Sequence, residues 1–92
     1  MGTIWRMNET TFYQKLHALP NGAYDVCYRK KRYLLRKESL LQGKLIKLYA
    51  KELGGNDIVS GNYYPSIKNG TLKPCEMPEE KVIAFVEAAR VL

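Results

Sequence analysis

Residues 44–53 read KLIKLYAKEL, and the order of elements along the chain turns on whether this segment is wound or extended. Leu45, Ile46, Tyr49 and Leu53 fall on one helical face, and Lys44, Lys47 and Lys51 line the other, the spacing of an amphipathic helix. As a strand the segment would put Lys44, Ile46, Leu48, Ala50 and Glu52 on one side, which mixes charge with apolar bulk. KLIKLY taken alone is also compatible with an extended run. The whole segment is read as a helix, closed by Gly54 or Gly55 in the left-handed conformation.

Upstream lies a hairpin. AYDVCY, residues 23–28, alternates Tyr24, Val26 and Tyr28 with Ala23, Asp25 and Cys27, and RYLLRK, residues 32–37, forms the second strand. A two-residue loop at Lys30-Lys31 would set Tyr28 opposite Tyr33, Val26 opposite Leu35, Asp25 opposite Arg36 and Arg29 opposite Arg32. Downstream, residues 57–74 hold a second hairpin. Asn69-Gly70 is its turn signal, pairing Ile67 with Leu72. Pro65 and Pro74 cannot donate to a ladder and belong at strand ends or on an edge.

Helices flank the two hairpins. Phe12, Leu16 and Leu19 share a face over residues 9–19, with Asn8 as N-cap and Pro20-Asn21-Gly22 as the stop. Pro78 opens a last helix, with Glu79 and Glu80 in its first turn and Val82, Phe85, Val86 and Ala89 as its buried stripe. The expected order is α-ββ-α-ββ-α. Two hairpins with apolar sides need a common cover, so the class is α+β: a small antiparallel sheet with helices packed on one face. Residues 1–7 read as a loose leader, with Met7 an alternative start and Trp5 its one anchor, and residues 8–92 as a single domain.

The 92 residues are 46% hydrophobic, enough for a core and unlike a disordered chain. Fifteen basic and nine acidic side chains give a net charge of +6. Such a balance favours a polyanionic partner without requiring one. No apolar stretch has the ~20 residues of a membrane span, and no secretory signal is visible, so the expected compartment is the cytoplasm. Cys27 and Cys75 lack the close Cys or His pairs of a metal site, and the chain has one histidine, His17. No metal or cofactor is expected. The cysteines read as reduced thiols, with a disulfide open if the fold brings them together.

Two segments stand out as binding surfaces. The basic one draws on Arg29, Lys30, Lys31 and Arg32 at the first hairpin tip and on Lys44, Lys47 and Lys51, a cluster of long cations of the kind that phosphates need. Tip and edge lysines also keep sheets from pairing with other chains. The other is GGNDIVSGNYYP, residues 54–65, where Asn56, Asp57, Ser60, Asn62, Tyr63 and Tyr64 make an adaptable loop surface. The more economical reading of the same segment is a helix cap, a turn and a half-exposed strand with a bulge at Gly61. Cys75, just ahead of a helix start and near Lys73, has features of a reactive thiol, but Glu76, Glu79 and Glu80 oppose them and no base is near in sequence. An enzyme is the least supported class.

KLYAKELGGNDIVSGNYY together with LKPCEMPEEKV resembles a group of short uncharacterised bacterial proteins, some carried on mobile, integron-associated gene cassettes. The resemblance covers about the second half of the chain. It implies a bacterial cytoplasmic protein and transfers no functional residues. The reading that follows is a non-catalytic binding module for a protein or a second copy of itself, with self-association through a sheet edge or helix face. Its alternative is a nucleic-acid module working through the basic hairpin and the lysine-striped segment.

Overall fold

A computed structural model describes the backbone of residues 3–67 and 70–92 and the side chains of residues 11–67 and 70–92. The elements follow in the order α1 (Thr3–Ala18), β1 (Gly22–Tyr28), β2 (Lys31–Leu40), β3 (Leu45–Glu52), β4 (Ile58–Tyr64), β5 (Thr71–Pro74), α2 (Glu79–Ala88) and β6 (Arg90–Val91). The strands form one antiparallel sheet in the order β5-β4-β3-β2-β1-β6. Both helices pack on the same face, which makes an α+β domain as expected. Phe12 of α1 meets Tyr63 edge-on, and Phe85 of α2 lies against Tyr28 and Tyr33. Those three tyrosines project from one side of the sheet.

The expected middle helix is a strand. Residues 45–52 form β3, whose Ile46, Leu48 and Ala50 are buried while Lys47, Tyr49 and Lys51 are exposed. The alternation is sound once the ends are set aside. Lys44 lies before the strand, in the turn that follows Leu41–Gly43, and Glu52 sits at the far end, where its carboxylate accepts a hydrogen bond from the Asp57 N–H. Only the interior three positions of that row need to be apolar. Gln42 and Gly43 at positive φ reverse the chain between β2 and β3.

The first hairpin turns at Arg29-Lys30, both at positive φ, and not at Lys30-Lys31. Tyr28 therefore pairs with Lys31, Val26 with Tyr33 and Tyr24 with Leu35. The register differs from the expected one by two residues, which keeps every side chain on its expected face. Tyr28 and Tyr33 still touch, diagonally and edge-on. Asp25 meets Arg32 in place of Arg36. In the second hairpin Leu72 pairs with Tyr63, not Ile67, and the Gly70 N–H bonds to the Ile67 carbonyl. Asn69 lies outside the described residues. Pro65 follows the end of β4, and Pro74 ends the edge strand β5, both as expected. Gly61 sits in an unbroken ladder without a bulge. Its missing side chain leaves room for the β5 backbone, since a Cβ there would lie 3.2 Å from the Lys73 carbonyl oxygen and the Pro74 Cα.

Asn8 lies inside α1 and not ahead of it. Trp5 is among the side chains outside the description. The last helix follows its expected pattern: Pro78 precedes it, Glu79 and Glu80 occupy its first turn, Val82, Phe85 and Val86 are buried, and Ala89 packs against the core. The short β6 after it was not expected. It adds to the free side of β1 through Val26–Val91 and Cys27–Arg90.

Among the described residues one charged side chain belongs to the core. Lys37 is 3% exposed, in line with Tyr33 and Leu35 on β2. Its Nζ donates to the carbonyls of Leu16 at 2.7 Å and Leu19 at 2.6 Å, with a longer contact to that of His17. Carbonyls at a helix C-terminus lack intrahelical donors, and a cation suits that end of the dipole. Lys37 thus ties the end of α1 to the sheet. Burial pushes its ammonium below the usual lysine range.

Candidate functional site

The side of the sheet away from the helices is open. Its side chains are fixed by the same two-residue period that fills the core. Three cross-strand rows follow from the registers. Asp25, Leu34, Lys51 and Ile58 form one row, and Ala23, Arg36, Tyr49 and Ser60 the next. Glu38, Lys47, Asn62 and Lys73 form the third. Rows on one face repeat every two residues, about 6.8 Å along the strands, and neighbours across strands are about 4.8 Å apart. Arg32 and Arg90 add cations near Cys27.

Among the described residues six cations therefore share this face (Arg32, Arg36, Lys47, Lys51, Lys73 and Arg90) against the carboxylates of Asp25 and Glu38. Asp25 meets Arg32 at 3.8 Å with both side chains well exposed, an ion pair that contributes little. Tyr49 is 45% exposed, Leu34 42% and Ile58 37%, so apolar and aromatic surface is interleaved with the charge.

The basic residues singled out in the sequence do not converge as one cluster. Arg32, Lys47 and Lys51 stand on the open face. Arg29 and Lys30 form the turn, where the Arg29 guanidinium lies over the Tyr28 ring at 5.1 Å. Lys31 pairs with Glu52 at 3.8 Å. Lys44 occupies the turn at the opposite end of β2, about 30 Å from the tip at ordinary strand rise. Arg36, Lys73 and Arg90 take the places that Lys31, Lys44 and the tip were expected to fill. A strand reading of residues 45–52 would have found the row Lys47, Tyr49, Lys51.

The loop surface is also divided. Asp57 is an internal link: its Oδ1 accepts from Lys81 and its Oδ2 from the Tyr33 hydroxyl, both at 2.7 Å. Lys81 chiefly, and Tyr33 next, hold its carboxyl below the usual carboxylate range, while burial pushes the Tyr33 hydroxyl up. Tyr63 is buried against Phe12 and Tyr13. Asn56 is exposed in the connection before β4, and Ser60, Asn62 and Tyr64 lie on the open face of β4.

Both cysteines are free thiols. Cys27 is on β1 and Cys75 follows β5, four strand spacings away, about 19 Å. A disulfide needs Cα atoms within about 7 Å, so the two do not pair within one chain. His17 stacks on Tyr13 one helical turn earlier. Among the described residues no three His, Cys, Asp or Glu side chains gather as a metal site, and no helix is long and apolar enough to cross a membrane. In comparisons with known proteins, no family model, curated protein or solved structure matches the chain.

Proposed function

We propose that the protein is a binding module that engages nucleic acid through the open face of its sheet. The observation that carries this reading is the register of β2, β3 and β4, which gathers Arg36, Lys47 and Lys51 around the exposed ring of Tyr49. Phosphate contacts supply most of the affinity of such modules, and long cations on an accessible surface are what they need.

A protein partner gathered at residues 56–64 has less support. Asp57 and Tyr63 are engaged inside the fold, and Ser60, Asn62 and Tyr64 belong to the same open face as the cations. A second copy docked face to face would bring two positively charged surfaces together, which costs energy. Edge pairing is also handicapped. One edge strand has four residues and ends in Pro74, and the other, β6, has two.

Fluorescence-polarisation titration of the full chain with labelled DNA and RNA, at low and at physiological salt, tests the reading. Binding that weakens steeply with salt is expected. No binding at low salt overturns it, and a salt-independent dimer in sedimentation would assign the module to self-association.

A further inference from the structure

Resting on that reading, we propose that the ligand is a single-stranded nucleic acid, with a base stacked on Tyr49 and its neighbouring phosphates held by Arg36, Lys47 and Lys51. An exposed tyrosine on a strand is ordinary in itself; the surroundings of Tyr49 set it apart. It lies on β3, with two strands on one side and three on the other, away from either edge. Arg36 is its cross-strand partner, and Lys47 and Lys51 precede and follow it on the same face. Tyr28, Tyr33 and Tyr63 are committed to rings in the core, whereas among the described residues no ring or hydrogen bond engages the Tyr49 side chain.

The shape of the face selects among nucleic acids. A duplex hides its base planes in the stack and is read by an element that enters a groove. Both helices here lie on the far side of the sheet, and among the described residues no helix or hairpin stands on the open face. A single strand presents unstacked bases, which aromatic side chains on a sheet accept without regard to sequence. Ser60, the other cross-strand neighbour of Tyr49, is small, so the ring is not walled in on the β4 side. Leu34 and Ile58, on either side of Lys51, extend the apolar ground on which a second base can rest.

The test compares three probes on the intact chain: a short oligothymidylate, an abasic deoxyribose-phosphate strand of the same length, and a duplex of that length. The oligothymidylate should bind about fivefold or more tightly than the abasic strand, the factor given by the low end of base–aromatic stacking. Tyr49→Ala should remove that advantage and leave abasic binding unchanged, and Tyr49→Phe should restore it. Equal affinity for the oligothymidylate and the abasic strand overturns the stacking inference while the nucleic-acid reading stands. Preference for the duplex does the same. Failure of all three probes at low salt overturns both. The probe comparison on the wild-type chain needs no variant, so a folding defect in Tyr49→Ala would not blunt it.

Discussion

Lys37 and Lys51 sit on neighbouring central strands of one sheet, and their fates are opposite. Lys37 is sealed under α1 with its ammonium bonded to helix-end carbonyls. Lys51 stands in solvent beside Leu34 and Ile58. The difference is one of parity along the strand. In the middle of the strands, residues that share a face with Tyr33, Leu35 and Leu48 are drawn under the helices, Lys37 included, and those on the other face stay outside. One face of this sheet does the folding, and the other is released from that task and is open to selection for contact.

The comparison predicts that substitutions on the helix side change stability and spare binding, and that substitutions on the open side do the reverse. The largest effect is expected from Phe85→Ala, which empties the space between Tyr28 and Tyr33. It should cost about 3–5 kcal/mol in urea denaturation. Lys37→Met should cost about 2 kcal/mol, because the end of α1 loses its charge-assisted bonds. This variant also carries a pH signature. The folded protein holds the Lys37 proton less tightly than the unfolded chain, whose lysine has the ordinary value of 10.5. Wild type should therefore gain stability relative to Lys37→Met as pH rises toward 10.5 and lose it again as pH falls through the lowered value. Tyr33 acts in the opposite sense, with stability lost as pH rises above the ordinary tyrosine range, but it is common to both chains and cancels in the difference.

Asp57→Asn should cost about 1 kcal/mol at neutral pH through weakened bonds to Lys81 and Tyr33. The folded carboxyl ionises below its ordinary 3.8. Its contribution is present above that value and disappears as pH falls through the lowered one, so the two acid-denaturation curves should converge in strong acid. Replacing Arg29-Lys30 by Asn-Gly suits the two positive-φ positions of the turn. It should stabilise by about 1 kcal/mol and leave nucleic-acid affinity nearly unchanged. A marked loss of affinity in that variant would shift the contact surface from the face to the tip. Tyr49→Ala should move stability least, within about 0.5 kcal/mol. If it destabilises the fold as much as Phe85→Ala does, the division between the faces fails.

How far the sequence could be read follows from the same parity. Faces are legible: the alternation sets Tyr28, Val26, Tyr33 and Leu35 on one side of the hairpin even though the turn falls one residue earlier than expected. An error of two in the register conserves sides and changes only partners. The middle segment failed for a different reason. Helix and strand patterns coincide over a few residues, and what separates them in KLIKLYAKEL is that Lys44 and Glu52 fall at the ends of β3, a tertiary fact. With the helix went the candidate site. A 3.6-residue period groups Lys44, Lys47 and Lys51, whereas a two-residue period groups Lys47 and Lys51 with Tyr49 and, across the sheet, with Arg36. Lys37 was not legible as a core residue, because nothing local reveals that helix-end carbonyls will meet it.

The strand β6 gives the chain an uneven folding schedule. From β1 to β5 each strand pairs with the next in sequence, so the sheet can zip up through local contacts. The pairing of Val26 with Val91 joins segments 65 residues apart in sequence, with α2 leading directly into β6. Contacts of long sequence separation are the slow ones to close. In pulsed hydrogen exchange the meander amides should be protected early and the Leu92 amide, which bonds to the Asp25 carbonyl, late. Until that latch closes, the outer edge of β1 stands open from Asp25 to Cys27 as well, a longer docking edge for other chains than the finished fold offers.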